Sequence, residues 1–155
     1  MFPLICFGQI SIRENNTYIS NDTLFSKKTK LPINGLVYGD NIENSYKNGR
    51  YSGFSKQWYN EKQIEKKSTY KNRIHEIKVW YENGQLSNES ISFSCNEDYI
   101  IGGQFVPILN NSWYENGQQA YQMTYDSVSK KKSIEEWHEN GQLSNESISF
   151  SCNED

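Results

Sequence analysis

Many of the bulky apolar positions of this chain are aromatic, and the aromatics fall on a beat with largely polar residues between them. Tyr46, Trp58 and Tyr70 are spaced 12 and 12 residues apart, a unit of 24, and Trp113, Tyr125 and Trp137 repeat that spacing. Between the two stretches the rhythm is broken. Tyr70 to Trp80 is 10 residues, Trp80 to Phe93 is 13 and Phe93 to Trp113 is 20, so the last gap predicts an insertion over 94–112, carrying Gly102, Gly103 and Pro107. Helical periodicity is weak throughout. Its best candidate, 130–136, is too short to stand alone.

Each tryptophan opens a similar turn: Trp58-Tyr59-Asn60-Glu61-Lys62-Gln63, Trp80-Tyr81-Glu82-Asn83-Gly84-Gln85, Trp113-Tyr114-Glu115-Asn116-Gly117-Gln118 and Trp137-His138-Glu139-Asn140-Gly141-Gln142. Self-similarity at a fixed period is the signature of a repeat architecture in which each unit buries its apolar surface on its neighbours. Asn-Gly is the preferred centre of a two-residue type I′ hairpin, because both positions need positive φ. With Asn83-Gly84, Asn116-Gly117 and Asn140-Gly141 as such centres, Val79 pairs with Asn88 and Trp80 with Ser87. Ala120 then lies opposite Trp113, and Ser144 opposite Trp137. Trp58 would face Glu65 across Glu61-Lys62, where positive φ is strained, so this hairpin is expected to be the least regular. A second turn type is centred on Asn48-Gly49, with copies at 70–73 and 125–128 that have lost the glycine.

The expected fold is therefore all-β: an elongated antiparallel meander of stacked β-hairpin repeats forming an open single-layer sheet. Residues 34–155 would be the array and 9–33 a lead-in. Trp58, Trp80, Trp113 and Trp137 are expected to form the repeat core. Alternation along the strands would place Tyr59, Tyr81, Tyr114 and His138 on the other face as an accessible aromatic stripe for a partner.

Composition fits a thin sheet better than a closed core. The chain has 155 residues, 35% of them hydrophobic and 14% aromatic, and a mean hydropathy of −0.86. Aromatic side chains bury large areas even on a surface that stays wet at its edges. The 16 basic and 19 acidic side chains give a net charge of −3, which offers no footing for nucleic acid. The basic runs at 27–30 and 130–132 read as solvated turns, which limits membrane contact to peripheral association.

The apolar start, with small residues at Cys6 and Gly8, has the form of the end of a secretory signal. Residues 1–8 are then a signal-peptide remnant and the protein is exported; a hydrophobic first strand in a cytoplasmic protein is the other reading. Cys95 and Cys152 occupy equivalent places in two copies of one segment. Stacked units separate them beyond disulfide reach, so free thiols are expected. Those copies, 82–98 and 139–155, are identical over 17 residues. The stop after the second copy points to loss of whatever followed, or to a natural end.

The pattern Tyr46-Lys-Asn-Gly-Arg-Tyr-Ser-Gly53-Phe-Ser-Lys-Gln-Trp58-Tyr59, followed by the Glu-Asn-Gly-Gln turns, resembles the bacterial MORN-repeat variant, named for membrane occupation and recognition nexus. The resemblance covers Asn34 to Phe150, with Ile12 to Tyr38 similar to the family's lead-in. The chain departs from the pattern at Arg73, Val128 and Lys132, where glycines are lost, and in the insertion. The resemblance implies an array of hairpins acting as a scaffold, and bacterial members are labelled YwqK-type antitoxin components of toxin–antitoxin systems.

No catalytic, metal or cofactor constellation emerges. His75 and His138 are the only histidines, and His138 stands in the tyrosine slot of its unit. Glu82, Glu115 and Glu139 recur at hairpin shoulders as turn acceptors. The expected function is a non-catalytic scaffold that binds another protein, antitoxin-like by resemblance. The alternatives are an aromatic cage for a cell-wall glycan or choline-like group, as in the choline-binding modules these hairpins also resemble, and weak association with a membrane surface.

Overall fold

A computed structural model describes residues 10–95 and 105–150. The signal remnant expected at 1–8, together with Cys6 and Cys152, lies outside the described residues. Thirteen strands run β1 (Ile10–Arg13), β2 (Thr17–Ser20), β3 (Thr23–Ser26), β4 (Gly35–Tyr38), β5 (Ile42–Lys47), β6 (Arg50–Trp58), β7 (Ile64–Lys71), β8 (Ile74–Trp80), β9 (Leu86–Ser94), β10 (Phe105–Trp113), β11 (Gln119–Asp126), β12 (Lys131–Trp137) and β13 (Leu143–Phe150). The one helical element among the described residues is a 3₁₀ turn at Glu14–Asn16. Among the described residues no helix is long and apolar enough to cross a membrane.

From β4 to β13 every strand pairs with the next in an antiparallel meander, and β1 adds in parallel to β4 to complete an open sheet of 11 strands. The all-β, single-layer repeat architecture expected from the aromatic beat is thus present. The helix candidate at 130–136 is instead β12 and the turn before it. The interval read as an insertion also changes character. Ser94 ends β9, and Phe105–Trp113 is a full strand paired with β9 from Phe105↔Ser94 to Ser112↔Asn88. The extra length therefore falls in the β9–β10 connection, the counterpart of the short β7–β8 turn. Pro107, which cannot donate to a ladder, sits where the register shifts between Pro107 and Leu109.

The Trp turns close over three residues rather than two. Tyr81 N–H donates to Gln85 O (2.9 Å) and Gly84 N–H to Tyr81 O (2.9 Å), with the same pair of bonds at Tyr114 and His138. Gly84, Gly117 and Gly141 take φ of +87°, +85° and +82°, while Asn83, Asn116 and Asn140 stay at negative φ. This is a type I turn closed by a left-handed glycine. The asparagine contributes its side chain instead: Asn83 Oδ1 accepts from Gln85 N–H at 2.9 Å. One extra loop residue moves the register, so Trp80 pairs with Leu86, Trp113 with Gln119, Trp137 with Leu143 and Trp58 with Ile64. Ser87, Ala120, Ser144 and Glu65, expected opposite the indoles, lie instead at the register shifts. Beyond each shift the expected register holds, as at Val79↔Asn88. The turn without glycine is the irregular one, as expected: Lys62 N–H turns to Asn60 Oδ1 (3.1 Å).

Type I′ geometry belongs to the second turn set. Asn48-Gly49 has φ of 51° and 72°, and Asn72-Arg73 has 52° and 66°. The copy between Asp126 and Lys131 is a longer loop, held by Asp126 Oδ1 accepting from Val128 N–H (2.9 Å) and Oδ2 from Ser129 Oγ (2.6 Å). These two bonds hold the Asp126 carboxyl below its usual pKa, the serine hydroxyl contributing most.

Among the described residues the sheet gains a second layer at its N-terminal end alone. The β2–β3 hairpin and the segment after it cover that end through Leu24, Ile33 and Val37, with Ile12 and Tyr46 packed alongside. Among the described residues the only other buried apolar side chain is Met123. The Asn48-Gly49 turn is threaded beneath this hairpin: Leu24 N–H donates to Gly49 O and Gly49 N–H to Ile33 O, both at 2.8 Å. A Cβ on Gly49 would meet Thr23 Cγ2 at 2.4 Å and Leu24 O at 2.6 Å, whereas one on Gly84 meets nothing closer than the Gln63 side chain at 3.6 Å. Gly84→Ala is expected to cost roughly 1–2 kcal/mol for the left-handed backbone alone, and Gly49→Ala at least about 1 kcal/mol more because backbone must also move. Urea midpoints of the two variants check this, and equal losses would contradict it.

Candidate interaction surface

The hairpins are stitched to one another by the tyrosine that follows each tryptophan. Tyr59 Oη donates to Trp80 O (2.9 Å), Tyr81 Oη to Trp113 O (2.8 Å) and Tyr114 Oη to Trp137 O (2.8 Å). The four tryptophans and these three tyrosines are half-buried, and His138, with no later unit to reach among the described residues, is exposed. The tyrosines expected to stand exposed for a partner are therefore engaged between units. The reason is geometric: a phenol at the turn shoulder spans the gap between neighbouring hairpins and finds a backbone carbonyl there. Burial against that neighbour raises the Tyr59 pKa, with Glu65 and Glu82 adding to the effect.

The turn tips stack by the same logic. Asn83 Nδ2 donates to Glu115 O (3.2 Å) and Asn116 Nδ2 to Glu139 O (3.0 Å). Gln63, Gln85 and Gln118 lie over Gly84, Gly117 and Gly141 of the next units, between 3.2 and 3.6 Å from where a Cβ would stand. Glu115 and Glu139 enter these contacts through their backbone carbonyls. The Asn-Gly-Gln tips thus form one continuous ridge along the sheet.

Across the strands, residues directly opposite in register share a face. One such row begins Glu43↔Lys56↔Lys67↔Lys78↔Glu89. It continues through Asn111 and Gln122 to Glu135↔Glu146. After Glu43 come three lysines in succession, and its far end is acidic. Lys78 is neutralised by Glu76 and Glu89, both at 3.0 Å; these bonds raise the Lys78 pKa and lower that of Glu76. Lys56 and Lys67 have no salt bridge among the described residues, nor do Glu135 and Glu146. Asn111 Oδ1, midway along the row, is buried with no hydrogen-bond partner among the described residues. Neither this row nor its polarity was foreseen from sequence, because it exists only once the register is known.

The opposite face carries the half-buried His75. Its Nε2 is 2.7 Å from Ser68 Oγ, and its ring packs at 5.3 Å from Phe105 and 6.4 Å from Tyr70. Burial, and then the charge on Lys66, push its pKa below the usual 6.5. Cys95 is exposed and unpaired. No group of three or more metal-ligating side chains occurs among the described residues. At the N-terminal end, a groove of 890 Å³ opens between the lead-in and β6, lined by Ile12, Leu31, Ile33, Tyr46 and Phe54 among others. No protein-family model, curated protein or solved structure matches the chain.

Two outcomes follow from this geometry. Tyr81→Phe removes a bond between units and is expected to lower stability by about 1 kcal/mol, whereas His138→Phe stays within about 0.5 kcal/mol; chemical denaturation checks both, and equal effects would contradict the stitching. Because the folded-state pKa of His75 lies below its unfolded value of 6.5, the unfolded chain binds the extra proton. That contribution is complete above pH 6.5 and is lost as pH falls through the depressed value. His75→Gln should flatten stability versus pH just below 6.5, and an unchanged slope there would remove the histidine from the account.

Proposed function

We propose that the protein is a non-catalytic repeat scaffold whose open sheet binds another protein along its row of cross-strand charges. The observation that carries this reading is the juxtaposition of Lys56 and Lys67 without a salt bridge on either. Like charges directly opposite across strands cost the fold on the order of 0.2–1 kcal/mol. An acidic partner surface laid along the row offsets that cost and gains electrostatic steering. The ridge of stacked turns and the phenol bonds support the same reading by fixing the spacing of the row.

The sequence resemblance to the bacterial MORN-repeat variant favours this class of function and extends it to an antitoxin-like role, in which the sheet covers the partner's working surface. An exported location accords with the apolar N-terminus. The tyrosine stripe is no longer the preferred contact, since its hydroxyls are engaged within the array; the charged row takes its place.

Proximity labelling followed by quantitative pull-down identifies the partner, and the double variant Lys56→Gln, Lys67→Gln tests the surface. Capture is expected to fall about fivefold or more and to lose much of its salt dependence, while thermal stability holds or rises slightly. Unchanged capture by a folded double variant contradicts the proposal.

A further inference from the structure

β9 and β13 have the same sequence over Leu86–Phe93 and Leu143–Phe150, yet they sit in different surroundings. β9 lies between β8 and β10, and its residues are half-buried or buried throughout. β13 pairs with β12 on one side, and among the described residues no strand lies on its other side. All eight of its residues are exposed, with Leu143 at 52%, Ile148 at 51% and Phe150 at 65%. It also lacks the lysines, prolines and central bulges that blunt free edges. The molecule thus displays one strand twice, once covered and once bare.

The covered copy shows what fits the bare one. On β9, Val106 of β10 stands opposite Phe93, Leu109 opposite Ile91, Asn110 opposite Ser90 and Asn111 opposite Glu89. Asn88 Nδ2 also donates to Asn110 Oδ1 at 3.2 Å. On β13 the same side chains recur as Phe150, Ile148, Ser147, Glu146 and Asn145. The strand on the inner side differs at several positions, and one difference reverses a charge: Glu89 faces Lys78, but Glu146 faces Glu135. A strand added outside β13 therefore meets carboxylates that lack a countercharge.

We propose that the free edge of β13 is a docking site for an extended segment of another polypeptide, which adds as an antiparallel strand in the manner of β10. The segment carries aliphatic residues opposite Phe150 and Ile148, a small polar or amide residue opposite Ser147 and a basic residue opposite Glu146. Main-chain hydrogen bonds supply affinity and alternate side chains supply selectivity. A second copy of this chain is a poorer occupant, because joining two β13 edges brings the Glu135 and Glu146 carboxylates of both copies to one seam. The proposal rests on the interaction-scaffold reading but puts the contact on the sheet's end rather than its face.

The test uses the intact chain and a labelled synthetic peptide of the β10 sequence Phe105–Trp113, with versions carrying Asn111→Lys and Asn111→Glu. Fluorescence anisotropy is expected to rank binding as lysine over asparagine over glutamate, with steps of about two- to fivefold that shrink at high salt. Backbone amide shifts should be confined to 143–150 and spare 86–94. Ile148→Lys in the protein, at an exposed position that leaves the fold intact by circular dichroism, should weaken all three peptides. Absent binding, an order indifferent to charge, or binding indifferent to Ile148→Lys overturns the proposal. A dimer abolished by Ile148→Lys also overturns it, in favour of a second copy at the edge. If the peptide fails while Lys56/Lys67-dependent capture persists, the edge assignment alone is lost; if capture no longer depends on those lysines but the peptide binds, the charged row is lost and the edge stands.

Discussion

A sheet one layer thick has no interior to hold it together, so its stability depends on what passes between neighbouring hairpins. Here that is the backbone ladder, reinforced wherever a tyrosine hydroxyl reaches the carbonyl of the next tryptophan. Each bond is worth about 1 kcal/mol net, and each links a unit to its successor. Stability in such an array is a sum over neighbours. Its two ends therefore behave differently from its middle: the first is covered by the β2–β3 hairpin, and the last has no neighbour on its outer side among the described residues.

The same constraint organises the surface. Once neighbours are locked in register, residues scattered through the sequence line up into rows. Along the row from Glu43 to Glu146, Lys56 and Lys67, without salt bridges, stand toward one end, and Glu135 and Glu146, also without them, at the other. Faces, turn ridge and end strand are thus three distinct surfaces set by one spacing, and they present different chemistry to a partner.

The meander, its turn positions and much of its strand register were legible in the aromatic beat and the Asn-Gly pairs. The turn type was not. Asn-Gly serves equally as the centre of a two-residue loop and as the last two residues of a three-residue one, and only the closing hydrogen bonds tell them apart. That single residue moved Trp80 from Ser87 to Leu86. Conversely, Asn72-Arg73 adopts the left-handed pair without the glycine that would announce it. The 94–112 interval read as an insertion because Phe93 and Trp113 stand 20 residues apart instead of 12, although Phe105–Trp113 supplies a complete strand. The tyrosine stripe was misplaced for a different reason: alternation gives the face a side chain leaves from, not what its polar tip meets one unit away.

Hydrogen exchange on the twin strands tests the open array most directly, since identical sequences give the amides of 86–93 and 143–150 closely matched intrinsic exchange rates. Fragments that include the distinct flanking residues separate the two copies in mass spectrometry. Strong protection throughout β9, with fast exchange of the outward-facing half of β13, is the predicted result. Equal protection in the isolated monomer would contradict an open sheet ending at a bare strand.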